Sequence, residues 1–199
     1  MPSVKNYPLI KNLVTFLILG TSCLYLSSGF ARATKPDPEL RALLAKAAYD
    51  TDSFKDRFDA EVWLMDMSAR LKRRMSDDRA RIELLKNVHY EATRADLPPE
   101  LVLAVIETES NFNRWAISVV GAQGLMQIMP FWLKEIGRED DNLFTVSTNL
   151  RFGCTILRHY LDREKGNISR ALNRYNGSLG KVKYPNKVLD KLRRNWYRQ

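Results

Sequence analysis

Cysteine is almost missing from this chain: 199 residues carry only two. Cys23 falls in an apolar N-terminal stretch, which leaves Cys154 alone in the rest and excludes an internal disulfide there, so stability must come from packing. Nothing near Cys154 in "NLRFGCTILRHYL" would activate a thiol, and its apolar neighbours recur at helical spacing, which makes it a packing residue. Histidine is equally scarce. His89 and His159 lie far apart and neither has a partner at metal-ligand spacing, so no metal site is expected. The chain has no serine-nucleophile elbow, no phosphate loop and no dinucleotide fingerprint, and therefore no expected cofactor. Internal repeats, low-complexity runs and the alternating pattern of strands are missing too. What remains is a mainly α chain.

The N-terminus reads as a targeting segment. Lys5 and Lys11 precede the apolar run "LVTFLILGTSCLYLSSGF", and "ARA" at 31–33 offers small residues spaced for cleavage after Ala33. Residues 1–33 are therefore read as a signal peptide and the protein as exported to the periplasm. The alternative is an uncleaved helix anchored in the inner membrane, because the run is nearly long enough to span. Lipidation at Cys23 is disfavoured by the Gly20, Thr21 and Ser22 that precede it. The formal charge of +9 becomes +6 when Lys5, Lys11 and Arg32 leave with the leader. The basic residues are dispersed and form no nucleic-acid module, so nucleic acid is not an expected partner. An anionic polymer of the cell envelope is.

Helical signals follow one another from residue 36. A first amphipathic segment places Leu40, Leu43, Leu44 and Ala47 on one face. Over 59–75, Val62, Met65 and Ala69 suggest the inward face of a second helix, with bases in its last turns. Ser76 is the expected N-cap of a third, with Asp77 and Asp78 in its first turn. "DLPPE" breaks the chain, and Pro98 or Pro99 can open the next helix. Two further helices follow, in "TNLRFGCTILRHYLDREKG", ended by Gly166, and in "NISRALNRYNGS". Between them and the first group lies an irregular segment over about 111–130. The expected organisation is the leader, a helical extension at 34–83 and a catalytic domain at 84–199.

The chemistry centres on the helix that opens at Pro99. "LVLAVI" at 101–106 is apolar all round, as for a buried helix, and two glutamates follow. At about 100° per residue Glu109 falls on the side of Val102, Val105 and Ile106, and Glu107 toward Leu103 and Ala104. The negative end of the helix dipole and desolvation both oppose ionisation of Glu109, raising its pKa as a general acid near neutrality requires. A solvated helix-end glutamate satisfies the same pattern, and on this argument alone both readings stand.

"ESNF", Ser118 and "GAQGLMQIMP" together resemble the soluble, goose-lysozyme-like family of lytic transglycosylases, in which a Glu-Ser pair ends a buried helix before a Gly-Leu-Met-Gln segment. The resemblance resumes at "LFTVSTNLRFG" and "ALNRYNGSLGKV", covering about 84–191. It implies a mainly α, lysozyme-like domain that cleaves peptidoglycan glycan strands between N-acetylmuramic acid and N-acetylglucosamine. Glu109 would act first as acid and then as base toward the C6 hydroxyl, giving a 1,6-anhydro end without water. Hydrolysis of such a bond ordinarily uses two carboxylates; a substrate that supplies its own nucleophile needs one. By the same resemblance Tyr175 is the tyrosine whose hydroxyl contacts the acid. Met126 and Gln127 are residues that hold the sugar, and Ser118 lies near the reacting centre. Gly121 and Gly124 supply positive φ.

The pattern is not followed throughout. "RYNGS" stands where Ala-Tyr-Asn-Ala-Gly is usual, so Arg174 replaces a small residue and could reach an acidic stem peptide. Trp115 stands where a small or polar residue is common and could stack on a sugar face. Two other functions fit the same fold: a hydrolytic muramidase drawing a second carboxylate from Asp140 or Asp141, and a non-catalytic wall-binding or assembly protein.

Overall fold

Three of the described α-helices begin where an acid or amide side chain caps them. Asp56 accepts from the Asp59 N–H at 2.8 Å and opens α1 (Arg57–Leu71). Asp77 does the same for α2 (Asp78–Arg94) through the Ala80 N–H at 3.0 Å. Ser76, the expected cap, therefore sits one residue early, and its carbonyl accepts from Arg81 instead. Pro98 caps α3 (Pro99–Glu109), with Pro99 in the first helical position, where a missing N–H costs nothing. The short α4 (Trp132–Ile136), α5 (Val146–Arg163) and α6 (Ile168–Tyr175) follow. Then α7 (Lys183–Lys191) runs directly into a π-helical turn, Leu192–Trp196. The α5 helix is stopped by Gly166, whose φ of +82° lets its N–H return to the Leu161 carbonyl at 2.9 Å.

This architecture comes from a computed structural model that describes residue 42, residues 53 and 54, and residues 56–197. All of these belong to a unit running from Pro36 to Gln199. The leader, Cys23 and the expected face of Leu40, Leu43, Leu44 and Ala47 lie outside the described residues. Among the described residues no regular strand occurs and no helix is long and apolar enough to cross a membrane.

The α3 helix is the axis of the core. Every residue from Leu101 to Glu107 is buried, and α2, α7 and the π-helical turn pack around it. The α5 helix covers α2 and α6 on the other side, and α1 lies on α2 while also touching the π-helical turn. Cys154 is fully buried in α5, and desolvation pushes its thiol pKa well up, as suits a packing residue.

The inward face of α1 differs from the one expected. Ala60, Leu64, Met67, Ser68 and Leu71 are buried, whereas Met65 is 44% exposed, Ala69 is exposed and Val62 only partly covered. Apolar side chains surround most of this helix, so periodicity alone does not choose a face. The small Ser68 does, because the buried guanidinium of Arg81 reaches its Oγ at 2.9 Å. Arg81 also donates to the Met75 carbonyl at 2.6 Å and pairs with Asp78, fixing the α1–α2 link. The boundary expected at residue 84 falls inside α2, and α1 shares one apolar core with α3 and α5.

Candidate active site

The last residue of α3 is Glu109. The Tyr184 hydroxyl, from the first turn of α7, donates to Glu109 Oε1 at 2.5 Å. Burial raises the Glu109 carboxyl above its ordinary pKa, against the opposing effects of the Tyr184 hydrogen bond and the Lys187 ammonium. The Tyr184 phenol is itself pushed up, by burial first and then by the charge of Glu109. Ser110 caps the helix end through its N–H and Oγ on the Ile106 carbonyl, at 3.0 and 3.2 Å. Asn111 and Phe112 then reverse the chain with φ of +49° and +68°, and Phe112 packs on Trp196 at 5.7 Å between ring centroids.

Glu107 is the more buried of the two acids, at 5% exposure, and it has a structural occupation. Arg74 donates to it at 2.7 Å, Trp196 Nε1 at 2.8 Å, and Asn195 Nδ2 reaches both oxygens at 3.0 Å.

The irregular segment is held by backbone bridges rather than strands. Gln123 exchanges two hydrogen bonds with Ile128, both 2.9 Å, and Gly124 N–H reaches the Ala116 carbonyl at 2.9 Å. Asn149, fully buried at the start of α5, pins the turn to the core. Its Oδ1 accepts from Met126 N–H at 2.8 Å, and its Nδ2 donates to the Gln123 and Leu143 carbonyls at 2.9 and 2.8 Å. Gly124 has φ +77°, and a Cβ there would drive into Asn149 and the Leu143 carbonyl. A Cβ on Gly153 would likewise overlap the Met126 side chain. These contacts are the physical content of the two glycine-containing motifs.

Several expected roles change. Met126 is fully buried, and its side chain packs in the core. The Tyr175 hydroxyl donates to the Met126 carbonyl at 2.8 Å, and the hydroxyl on the acid is that of Tyr184. Glu109 still bears on Tyr175, whose pKa is raised by burial first and by that charge second. The Gln127 amide is spent on the Ala116 and Gly124 carbonyls at 3.1 and 3.0 Å, bracing the loop. Ser118 Oγ accepts from Ala122 N–H at 3.0 Å, closing the turn through Gly121, whose φ is +86°.

Arg174 and Arg170 both pair with Glu164, which turns Arg174 away from the free contact expected of it. Asp141 is tied to Arg151 and to the Arg138 N–H. Its partial desolvation would raise its pKa, yet these partners hold it below the usual carboxylate range. Asp140 is exposed. Trp115 remains 63% exposed, with the Arg114 guanidinium 4.6 Å from its ring centroid. His89 is stacked on Phe54 at 3.4 Å and contacts Ser53, its pKa lowered to about 4 by burial. Among the described residues no cluster of three or more His, Cys, Asp or Glu converges.

A half-buried acid thus ends a core helix beside a pinned Gly-Leu-Met-Gln turn. The sequence model of the transglycosylase SLT domain family matches residues 86–195, more than half of the chain, and the protein belongs to that family. It is similar to a transglycosylase of Enterobacteria phage PRD1, 38% identical over 101 residues, which are 47% of this chain and 37% of the relative. It is also similar to membrane-bound lytic murein transglycosylase C of Histophilus somni, 34% identical over 111 residues, 48% of this chain and 31% of the relative. The matched part thus spans roughly a third of each curated relative. Among solved structures, an inactive mutant of the lytic transglycosylase Slt from Pseudomonas aeruginosa aligns with 75% of this chain and 29% of its own. The TM-score is 0.46 and the identity 23%.

Proposed function

We propose that this protein is a peptidoglycan lytic transglycosylase with Glu109 as its only acid-base group. The observation that carries the reading is the state of that carboxyl: desolvated, raised in pKa and hydrogen-bonded by Tyr184. The relatives named lytic murein transglycosylases supply the substrate class. Protonated Glu109 gives its proton to the glycosidic oxygen, and the bond from that oxygen to C1 of the muramic residue breaks. The carboxylate then removes the proton of the C6 hydroxyl as that oxygen attacks C1, closing a 1,6-anhydro ring and returning Glu109 to its acid form. No water is consumed. Acid-base assistance of this kind supplies roughly 10²–10⁴-fold, and positioning with electrostatic stabilisation supplies the rest.

In this mechanism Tyr184 orients the carboxylate between its two tasks and stabilises its charged form. Tyr175 acts through the Met126 carbonyl, fixing the turn against the acid. Gln127 and Ser118 brace the loop beside the acid, and the exposed face of Trp115 offers a platform for a sugar ring. The first 33 residues export the chain, so that the reaction takes place in the periplasm where the polymer lies. The test is release of soluble muropeptides from purified peptidoglycan by the mature chain and by Glu109→Gln. Release should fall by at least about 10²-fold in the variant, with binding to the insoluble polymer unchanged. Equal release by both proteins would remove Glu109 from the mechanism.

A further inference from the structure

Glu107 sits two residues before the acid on α3, and its partners come from both ends of the chain. From α7, Lys191 Nζ donates to the Glu107 carbonyl at 2.7 Å and lies 3.6 Å from Oε1. From the π-helical turn come Asn195 and Trp196. From the α1–α2 link comes Arg74, outside the segment that matches the family. That link cannot drift, because the buried Arg81 holds the Met75 carbonyl and Ser68 beneath it. A second tie runs in parallel: Arg70 donates to the carbonyls of Asn195 and Tyr197 at 3.1 and 3.2 Å.

The face of α7 that meets the end of α3 repeats every three to four residues. Tyr184 lies on Glu109, the Lys187 charge acts on Glu109, and Lys191 lies on Glu107. The helix that delivers Tyr184 is thus anchored at its far end by Glu107. A carboxylate this buried, with its oxygens fully used, fixes geometry as well as adding stability, since any partner lost leaves a buried charge under-compensated.

We propose that Glu107 is a positioning residue for the Glu109–Tyr184 pair, and that through Arg74 the segment before the family domain becomes a working part of the active centre. This rests on the assignment of Glu109 as the acid. The 57–83 segment is then a brace of the catalytic helix, and its removal costs activity as well as stability.

The groups that act on Glu109 are Tyr184 and Lys187 on α7 and Tyr175 on α6, while Arg74 on the link and Lys191 on α7 meet Glu107 two residues earlier on α3. Arg74→Met removes one of the two cations that offset Glu107 and leaves Lys191, so the under-compensated carboxylate opposes ionisation of Glu109 and its titration midpoint should rise. Arg74→Lys keeps the cation. Arg74 is partly exposed, so both variants should fold where Glu107→Ala would not.

The experiment measures turnover on peptidoglycan, thermal unfolding and the carboxyl-carbon titration of Glu109 by NMR in the full chain, Arg74→Met and Arg74→Lys, below the unfolding onset of each. Arg74→Met should lose about tenfold in kcat with KM within about twofold, as a displaced catalytic group does. Its Glu109 midpoint should move up, and Arg74→Lys should recover most of both. A lower unfolding temperature with kcat and midpoint at their original values would overturn the proposal and leave Glu107 a purely structural acid. If the unsubstituted chain releases nothing, the transglycosylase reading fails by itself. The titration then decides: a midpoint moved by Met and restored by Lys supports the coupling, and an unmoved one overturns it.

Discussion

Replacing Asn149 by alanine should cost this protein more than its size suggests. The side chain is fully buried and makes three hydrogen bonds, all to backbone: from Met126 N–H, and to the Gln123 and Leu143 carbonyls. Gln123 O keeps a second partner in Ile128 N–H, so two groups are left seriously exposed to loss, the Met126 N–H and the Leu143 carbonyl. Each unsatisfied buried group costs about 1–3 kcal/mol, which puts the substitution near 4 kcal/mol. Against a typical total of about 5–15 kcal/mol that is a large fraction. It corresponds to a fall of roughly 8–16 °C in Tm for a domain of this size. Urea unfolding followed by circular dichroism would give the number.

Asn149→Asp sharpens the test. The carboxylate keeps the acceptor for Met126 N–H but points an oxygen at two carbonyls, so at neutral pH it should be no more stable than alanine. Below the carboxylate range the protonated acid regains one donor, and part of the loss should return. A cost under about 1 kcal/mol for Asn149→Ala, or a neutral-pH Asp variant clearly more stable than the Ala variant, would refute the claim that this side chain pins the turn.

Three further outcomes follow from the same geometry. Glu109→Gln should raise stability at neutral pH, since the folded chain holds that proton more tightly than the unfolded one and its stability falls as pH rises from the ordinary carboxylate pKa to the raised one. Each tenfold displacement of that equilibrium is worth about 1.4 kcal/mol, and the gain over the parent should vanish below the ordinary carboxylate range; thermal scans across pH measure it. Tyr184→Phe removes the bond that favours the carboxylate, so the alkaline limb of the pH–rate profile should move to higher pH while kcat falls, by about tenfold or more. Gly153→Ala should lose about 1–3 kcal/mol by overpacking against Met126, and should cost less in a Met126→Ala background than in the parent, a coupling that denaturant unfolding of the double-mutant cycle measures.

The helix end at Glu109, the proposed acid, is legible in the chain because its signals are local. An apolar helix opened by Pro99, a Glu-Ser end and the glycine-spaced turn all lie within a short stretch, and the structure places them together. The motif around Asn149 marks a helix start but does not reveal its bonds, since its three partners lie up to 26 residues away. Tyr184 escapes a reading that favours Tyr175. "YPNKVLDK" looks like a break at Pro185, yet that proline occupies the first turn of α7, where it is tolerated. The spacing of Tyr184, Lys187 and Lys191 is the available signal. Glu107 falls on the correct apolar side, but Arg74, Asn195 and Trp196 are between 33 and 89 residues distant and no periodicity points to them. The face of α1 is hidden for a related reason: tertiary contact with Arg81, not the pattern of the helix, decides it.

In the proposed reaction one carboxyl does the chemistry and the substrate provides the nucleophile. Digestion of purified peptidoglycan in heavy-oxygen water, with mass analysis of the new glycan ends, tests it most directly. The expected products are 1,6-anhydro-muramic ends free of the heavy isotope, formed by the mature chain and lost in Glu109→Gln. Reducing ends carrying the label would mean that water attacks, and that a second carboxylate completes a hydrolase.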